Sequence, residues 1–165
     1  FNILEKIKLI RNYGSNIKYV NNIRGHNSRL DELHAAFLFE KLKILDLQNK
    51  KRKSIADFYN NELMEVQDLI LPNYPEWADP VWHLYVIRCS NRNKLMKDLS
   101  NMGIETMIHY PIPPHLQTAY KDLNYKKGDF PISELIHEQV LSLPMSPVLS
   151  YEDAHFVTSA IKKCF

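Results

Sequence analysis

Apolar residues recur at helical spacing over the first third of the chain. The spacing within residues 3–10 predicts a first helix, with Gly14 as its expected C-cap, and the polar run 15–27 is typical of a loop. A second helix is expected to begin at Ser28, whose hydroxyl can cap it, while Asp31 favours the positive helix end. The apolar positions that follow predict a long helix or two collinear ones. They are Leu30, Leu33, Phe37, Leu38, Leu42 and Leu45, and after a basic run Ile55, Phe58, Tyr59 and Leu63.

From Leu69 the period changes to that of strands. Residues 69–72 predict a short strand, and the alternation in 81–88 predicts a half-buried one in which His83 is a hydrogen-bonded core histidine. Residues 91–103 predict a helix that ends at Gly103, and the β-branched content of 104–110 predicts another strand.

The last part of the chain alternates again between helix and strand. Residues 131–144 predict a proline-started helix that runs into a short strand, and a final helix begins at Ser150, with Asp153 at the capping-box position. The pattern predicts an α+β fold: a long N-terminal helix or helix pair, then a small antiparallel or mixed sheet with helices packed on one face.

Composition excludes several classes of function. The net charge of +2 is too small to indicate a nucleic-acid or membrane partner, and the basic run Lys50–Lys53 has no interleaved aromatic residues. Its expected role is a solvated helix face. Two distant cysteines, Cys89 and Cys164, indicate no disulfide framework, so a cytoplasmic setting is the simplest. No apolar run approaches the roughly 20 residues of a membrane-spanning helix.

Two short motifs could carry chemistry. In "GHNSR", Asn27 and Arg29 could hold an anion at the expected helix start, or Asn27 and Ser28 could simply be caps. In "MIHYPIPPHLQTAY", prolines stiffen a loop that would present His109, Tyr110 and His115, yet the same residues suit a proline turn that covers the sheet edge. The residues alone leave both pairs of alternatives open. The histidine spacing matches no zinc motif, so no metal site is expected.

Taken in order, the motifs resemble one family. "IRNYGSNIKYVNNIRGHNSRLDELHAAFL", "VWHLYVIR", "GIETMIHYPIPPHLQTAY" and "LSLPMSPVLSYED" are similar to the carboxy-terminal portion of the DegT/DnrJ/EryC1/StrS sugar aminotransferases. The chain begins with Phe inside an amphipathic pattern, and we expect it to be part of a longer polypeptide.

The resemblance implies a pyridoxal 5'-phosphate enzyme of fold type I that works as a homodimer. Residues 1–27 would form the end of the large cofactor domain and a connecting loop, and residues 28–165 the C-terminal small domain with a long linking helix. The family's cofactor-bearing lysine lies upstream of "RNYGS", so the chain alone is expected to be inactive and not to retain the cofactor. Asn27 and Arg29 match residues that approach the cofactor phosphate or the substrate of the partner subunit. His109, Tyr110, His115, Tyr13 and Tyr19 match residues near the nucleotide sugar.

The implied reaction moves an amino group from glutamate to a keto-6-deoxy sugar nucleotide. A dTDP-linked sugar with its keto group at C3 is favoured over one at C4, for a surface polysaccharide such as an O-antigen or for a secondary metabolite. The alternative is a stand-alone α+β binding or dimerisation module, because the apolar stripe from Leu30 to Leu63 could drive self-association.

Overall fold

The computed structural model describes residues 2–165 and divides into two compact units, the first ending at Leu45 and the second spanning Asp46–Phe165. The predicted division at residue 27 stays a prediction. Of residues 2–165, no helix combines the length and the hydrophobicity needed to cross a bilayer.

The first unit consists of two helices and a β-hairpin. Helix α1 spans Ile3–Arg11, strands β1 (Ser15–Ile17) and β2 (Val20–Asn21) pair antiparallel, and helix α2 spans Glu32–Leu42. The hairpin was not expected, because the sequence pattern of residues 15–27 is that of a loop.

Gly14 lies just beyond the end of α1, as expected of a C-cap glycine. Its backbone N–H donates to the carbonyl of Leu9 at 2.8 Å, and its φ is +77°. A Cβ at Gly14 would lie 1.7 Å from the carbonyl oxygen of Ile23, and one at Gly25 would lie 2.2 Å from the Gly14 nitrogen. Glycines at both positions therefore permit close contact between two backbone segments.

The expected start of the second helix at Ser28 is wrong. The N-cap is Asp31, whose Oδ1 accepts a hydrogen bond from the His34 backbone N–H at 2.9 Å. Ser28 instead donates its backbone N–H to the carbonyl of Arg11 at 2.8 Å, and Asn27 forms a bridge with Asn12. These long-range bonds hold residues 27–28 outside the helix. Of the two predicted alternatives, one long helix or a pair, the structure has a pair: α2 and α3 (Leu45–Leu63).

In the second unit, a three-stranded antiparallel sheet in the order β3–β4–β5 packs with helices. The strands are β3 (Leu69–Ile70), β4 (Tyr85–Cys89) and β5 (Val140–Leu143), and the helices that join α3 are α4 (Arg92–Asn101), α5 (Pro131–Gln139) and α6 (Tyr151–Cys164). Two short 3₁₀ helices, Pro114–Leu116 and Thr118–Leu123, lie in the proline-rich segment. The α+β prediction is confirmed.

The core lies where one face of β4 meets the helices. Tyr85, Ile87 and Cys89 alternate into it, and the Tyr59 ring of α3 packs 5.0 Å from that of Tyr85. Tyr59 also donates its hydroxyl to the carbonyl of Pro144 at 2.9 Å. Burial of such apolar surface is the main stabilising contribution to a fold of this kind.

Most predicted boundaries in this unit are confirmed. Helix α4 ends in two bonds typical of a Schellman motif around Gly103 (φ +80°): Ile104 N–H to Leu99 O at 2.9 Å and Gly103 N–H to Ser100 O at 3.0 Å. Helix α5 starts with a proline and leads into β5, and Ser150 caps α6 by accepting a bond from the Asp153 N–H at 3.0 Å.

Two predictions in this unit are wrong. Residues 104–110 form no strand, because only Met107 pairs with β5, through an isolated bridge to Ser142. His83 is exposed and precedes β4, which begins at Tyr85, so it is not a core histidine. Trp82 takes the buried position instead, with 6% of its surface exposed.

Candidate substrate and cofactor site

The turn after α1 and the β1–β2 hairpin form a groove. Tyr13 and Tyr19 both have positive φ angles, 57° and 70°, which place them at tight turns on either side of β1. The groove has a volume of about 660 Å³ and is lined by Asn12, Tyr13, Ser15, Lys18, Tyr19, Asn21 and Arg29. Both predicted loop tyrosines therefore line one concave surface, together with a lysine and an arginine.

Arg29, one of the two residues predicted to bind the cofactor, lines this groove and also contacts the other, Asn27. Its guanidinium carbon lies 5.6 Å from the centroid of the Tyr13 ring, and its Nε donates to Oδ1 of Asn27 at 3.3 Å. That bond uses the Asn27 carbonyl oxygen and leaves the amide NH₂ of Asn27 as a donor. The donors of Asn27 and the terminal nitrogens of Arg29 are of the kind that binds a phosphate.

The helix start itself is a poor anion site, which corrects the physical basis of the Asn27 and Arg29 prediction. Hydrogen bonds from the backbone N–H and the ring of His34 lower the pKa of Asp31, so the N-cap is a carboxylate that occupies the helix end. Asn27 and Arg29 line a second surface concavity together with Asp31 and Glu32, and Asn27 does not line the tyrosine groove. Arg29 lines both concavities, and on the tyrosine side Lys18 adds a second cation where no carboxylate of residues 2–165 lines the groove.

In the second unit, His109 lines a small cavity of about 250 Å³. Its Nδ1 lies 2.9 Å from the hydroxyl of Ser142 on β5, and its ring makes an edge-on contact with Tyr110, with centroids 5.7 Å apart. The cavity is mostly apolar and is lined by Leu84, Glu105, Thr106, Met107, His109, Ser142, Leu143, Pro144 and Met145. Tyr110 is 68% exposed and is available to a ligand.

His115 points into the protein, and its side chain is only 8% exposed. Its Nε2 lies 3.0 Å from Oε1 of Glu134, and its ring packs against Phe130 with centroids 4.8 Å apart. The stiff proline segment therefore carries His115 inward, whereas the sequence interpretation had it projecting from the loop.

The sequence analysis missed three residues that contact or line these sites. Lys18 lines the groove, Ser142 contacts His109, and Glu134 contacts His115. Lys18 had a signal, since it precedes Tyr19 in the same polar run. Ser142 and Glu134 had none, because they lie 33 and 19 residues from their histidine partners.

Comparison with known proteins identifies the class. The model of the DegT/DnrJ/EryC1/StrS aminotransferase family matches residues 2–162, so the chain belongs to that family. It is 48% identical over 160 residues to the "erythromycin biosynthesis sensory transduction protein EryC1" of Saccharopolyspora erythraea, covering 97% of this chain and 44% of that protein.

Two further relatives support the assignment. The dTDP-3-amino-3,6-dideoxy-alpha-D-galactopyranose transaminase of Aneurinibacillus thermoaerophilus is 44% identical, covering 98% of this chain and 44% of the enzyme. The crystal structure of Streptomyces venezuelae DesV with a ketimine intermediate matches with a TM-score of 0.93 and 39% identity, over 97% of this chain and 43% of DesV. The chain thus spans less than half the length of each of these proteins.

Proposed function

We propose that the chain is the C-terminal part of a pyridoxal 5'-phosphate enzyme that transfers an amino group from glutamate to a keto sugar linked to a nucleotide. The observation that carries the proposal is the groove of the first unit, which places Tyr13, Tyr19 and Arg29 on one concave surface beside Lys18. Aromatic faces suit a base or a sugar, and the cations suit phosphates. Membership of the family supplies the reaction type.

Within that class we favour a dTDP-linked keto-6-deoxyhexose that is aminated at C3. The name of the Aneurinibacillus relative describes a 3-amino-3,6-dideoxy sugar on dTDP, and 44% identity to it supports the same preference here. The apolar lining of the His109 cavity also suits a sugar that carries a methyl group in place of a hydroxyl.

The proposed roles divide between the two units. In the first, Asn27 and Arg29 hold the cofactor phosphate, and Tyr13 and Tyr19 pack on the nucleotide sugar. When bound, the cofactor supplies the electron sink through which the amino group is moved. The donors of Asn27 and Arg29 fit its phosphate.

The roles in the second unit concern the sugar and its loop. His109 and Tyr110 contact the sugar. His115 holds the proline segment through Glu134, so we place it in the frame of this site and not in contact with the ligand.

The decisive experiment uses the polypeptide that joins this chain to a family cofactor domain. It is incubated with glutamate and either a 3-keto or a 4-keto dTDP-6-deoxyhexose, and 2-oxoglutarate release is measured. Faster turnover of the 3-keto sugar is expected. No release with either sugar would remove the proposed activity, and preference for the 4-keto sugar would remove the C3 assignment.

The 165-residue chain gives a matched control. Mixed with pyridoxal 5'-phosphate, it should show no absorbance of a lysine-bound cofactor and should release no 2-oxoglutarate. Transamination by this chain alone would contradict its assignment as one part of the enzyme.

A second candidate function, a binding or dimerisation module, is favoured by one observation. None of residues 32–42 is buried, although α2 carries Leu33, Phe37, Leu38 and Leu42. Such a face associates with another surface in water. The family's homodimer would use the same property, so association alone does not separate the two candidates. Amino transfer by the joined polypeptide does.

A further inference from the structure

The backbone of Ser142 is fixed from both sides. On one edge of β5 it pairs in register with Val86 of β4. On the other, its N–H donates to the Met107 carbonyl at 2.7 Å and its carbonyl accepts from the Met107 N–H at 3.2 Å. Ser142 is 4% exposed, so its hydroxyl is held in place by a rigid element.

That hydroxyl contacts Nδ1 of His109 at 2.9 Å. Among residues 2–165, neither the Ser142 hydroxyl nor the His109 ring makes another hydrogen bond. A hydroxyl has one proton and two lone pairs, so it could donate to Nδ1 or accept from it. If it accepted, its own proton would remain buried without an acceptor, which is unfavourable. Donation from Ser142 to Nδ1 of His109 is therefore the favoured direction.

We propose that Ser142 is a positioning residue that fixes the ring and tautomer of His109, so that Nε2–H serves as a hydrogen-bond donor to an oxygen of the sugar. The inference rests on the proposed function, because it deepens the role of His109. With Nδ1 occupied by Ser142, the remaining ring nitrogen carries the proton.

The first test needs no substrate. In the ¹⁵N-labelled 165-residue chain, the side-chain resonances of His109 are assigned by their loss in His109→Gln. A protonated Nε2 and an Nδ1 resonance shifted by hydrogen bonding are expected. Ser142→Ala should return the Nδ1 resonance toward that of an unbonded ring nitrogen, and Ser142→Thr should restore it. Ser100→Ala, an exposed serine on α4, should leave it unchanged.

A proton on Nδ1 in the unchanged chain would overturn the proposal, as would an Nδ1 resonance that Ser142→Ala does not move. Backbone spectra of each variant check the fold. If Ser142→Ala does not fold, Ser142→Thr and the tautomer of the unchanged chain still decide the matter, because loss of the Nδ1 shift in a folded Thr variant also contradicts it.

The second test measures kinetics in the joined polypeptide. Ser142→Ala should raise KM for the keto sugar nucleotide by roughly 3- to 10-fold, the range of one hydrogen bond, with a smaller effect on kcat. Adding it to His109→Gln should cause little further loss. If Ser142→Ala raises KM equally in the unchanged polypeptide and in His109→Gln, Ser142 does not act through His109. The two proposals can fail separately. If the joined polypeptide is inactive but the His109 tautomer still depends on Ser142, the proposed function is refuted and the contact between Ser142 and His109 is retained.

Discussion

Nε2 of His115 lies 3.0 Å from Oε1 of Glu134, and their side chains are only 8% and 10% exposed. The same carboxylate accepts backbone N–H bonds from Gly128 at 2.8 Å and Phe130 at 3.4 Å. Glu134 thus ties three points of the loop region to the first turns of α5. A carboxylate that accepts several hydrogen bonds orders a loop more strongly than one hydrogen bond alone would.

Replacing Glu134 should loosen this loop. Glu134→Gln keeps the shape but loses the charge that strengthens all three bonds, so we expect the melting temperature to fall by about 2–4 °C. Thermal unfolding followed by circular dichroism measures the effect. Glu138→Gln, an exposed change on the same helix, is the control and should unfold like the unchanged chain. Equal melting temperatures for all three would show that the carboxylate adds nothing to stability.

Acid should remove the contribution of Glu134. Burial opposes its ionisation, but hydrogen bonds from Gly128, His115 and Phe130 outweigh that effect and lower the pKa of Glu134 below its usual 4.5. A lowered folded-state pKa gives stability that is present above the unfolded value and lost as the pH falls through the folded one. The difference in unfolding free energy between the unchanged chain and Glu134→Gln should therefore shrink below pH 4.5. Urea titrations at several pH values test this, and a difference that grows in acid would reverse the assigned direction.

The hydroxyl of Tyr59 should contribute to stability through Pro144. The side chain is fully buried, and burial together with the charge of Asp153 raises its pKa, so the hydroxyl stays protonated. Tyr59→Phe removes the bond to the Pro144 carbonyl and should lower the free energy of unfolding by about 1–3 kcal/mol. The denaturant midpoint should fall with an unchanged m-value. Tyr151→Phe, which alters an exposed ring, should have almost no effect.

Local signals predicted several elements well. The end of α4 could be read from Gly103, because a left-handed residue after a helix favours glycine. The start of α6 could be read from Ser150 and Asp153, which lie within one turn of each other. In both cases the residues that decide the structure are neighbours in the chain.

Where distant residues decide, the sequence prediction failed. Ser28 has the chemistry of an N-cap, but its backbone N–H is bound to Arg11, and Asp31 caps the helix in its place. For the candidate site, the sequence did not predict that His115 turns inward. That direction depends on Glu134, and no local pattern connects the two.

The exposed face of α2 should make the isolated chain self-associate. Leu33 and Phe37 lie one turn apart and are 66% and 60% exposed. Sedimentation of the 165-residue chain at micromolar concentration should show a concentration-dependent increase in mass, which Leu33→Glu combined with Phe37→Glu abolishes. Met64→Glu changes an exposed apolar residue elsewhere and should preserve association. A monomer at all concentrations would remove the dimerisation module as a candidate.

Arg29 should govern how tightly the joined polypeptide holds its cofactor. A hydrogen bond to a charged phosphate contributes about 1.5–3 kcal/mol, so Arg29→Gln should weaken pyridoxal phosphate binding by roughly 10- to 100-fold. Asn27→Ala should have a smaller effect, because Asn27 contributes a neutral donor and orients the Arg29 guanidinium. Affinity is measured by equilibrium dialysis at two salt concentrations, and Arg24→Gln, an exposed arginine in the same unit, serves as the control. If Arg29→Gln binds as tightly as Arg24→Gln, the groove does not hold the phosphate, and the role of Arg29 is confined to packing on Tyr13.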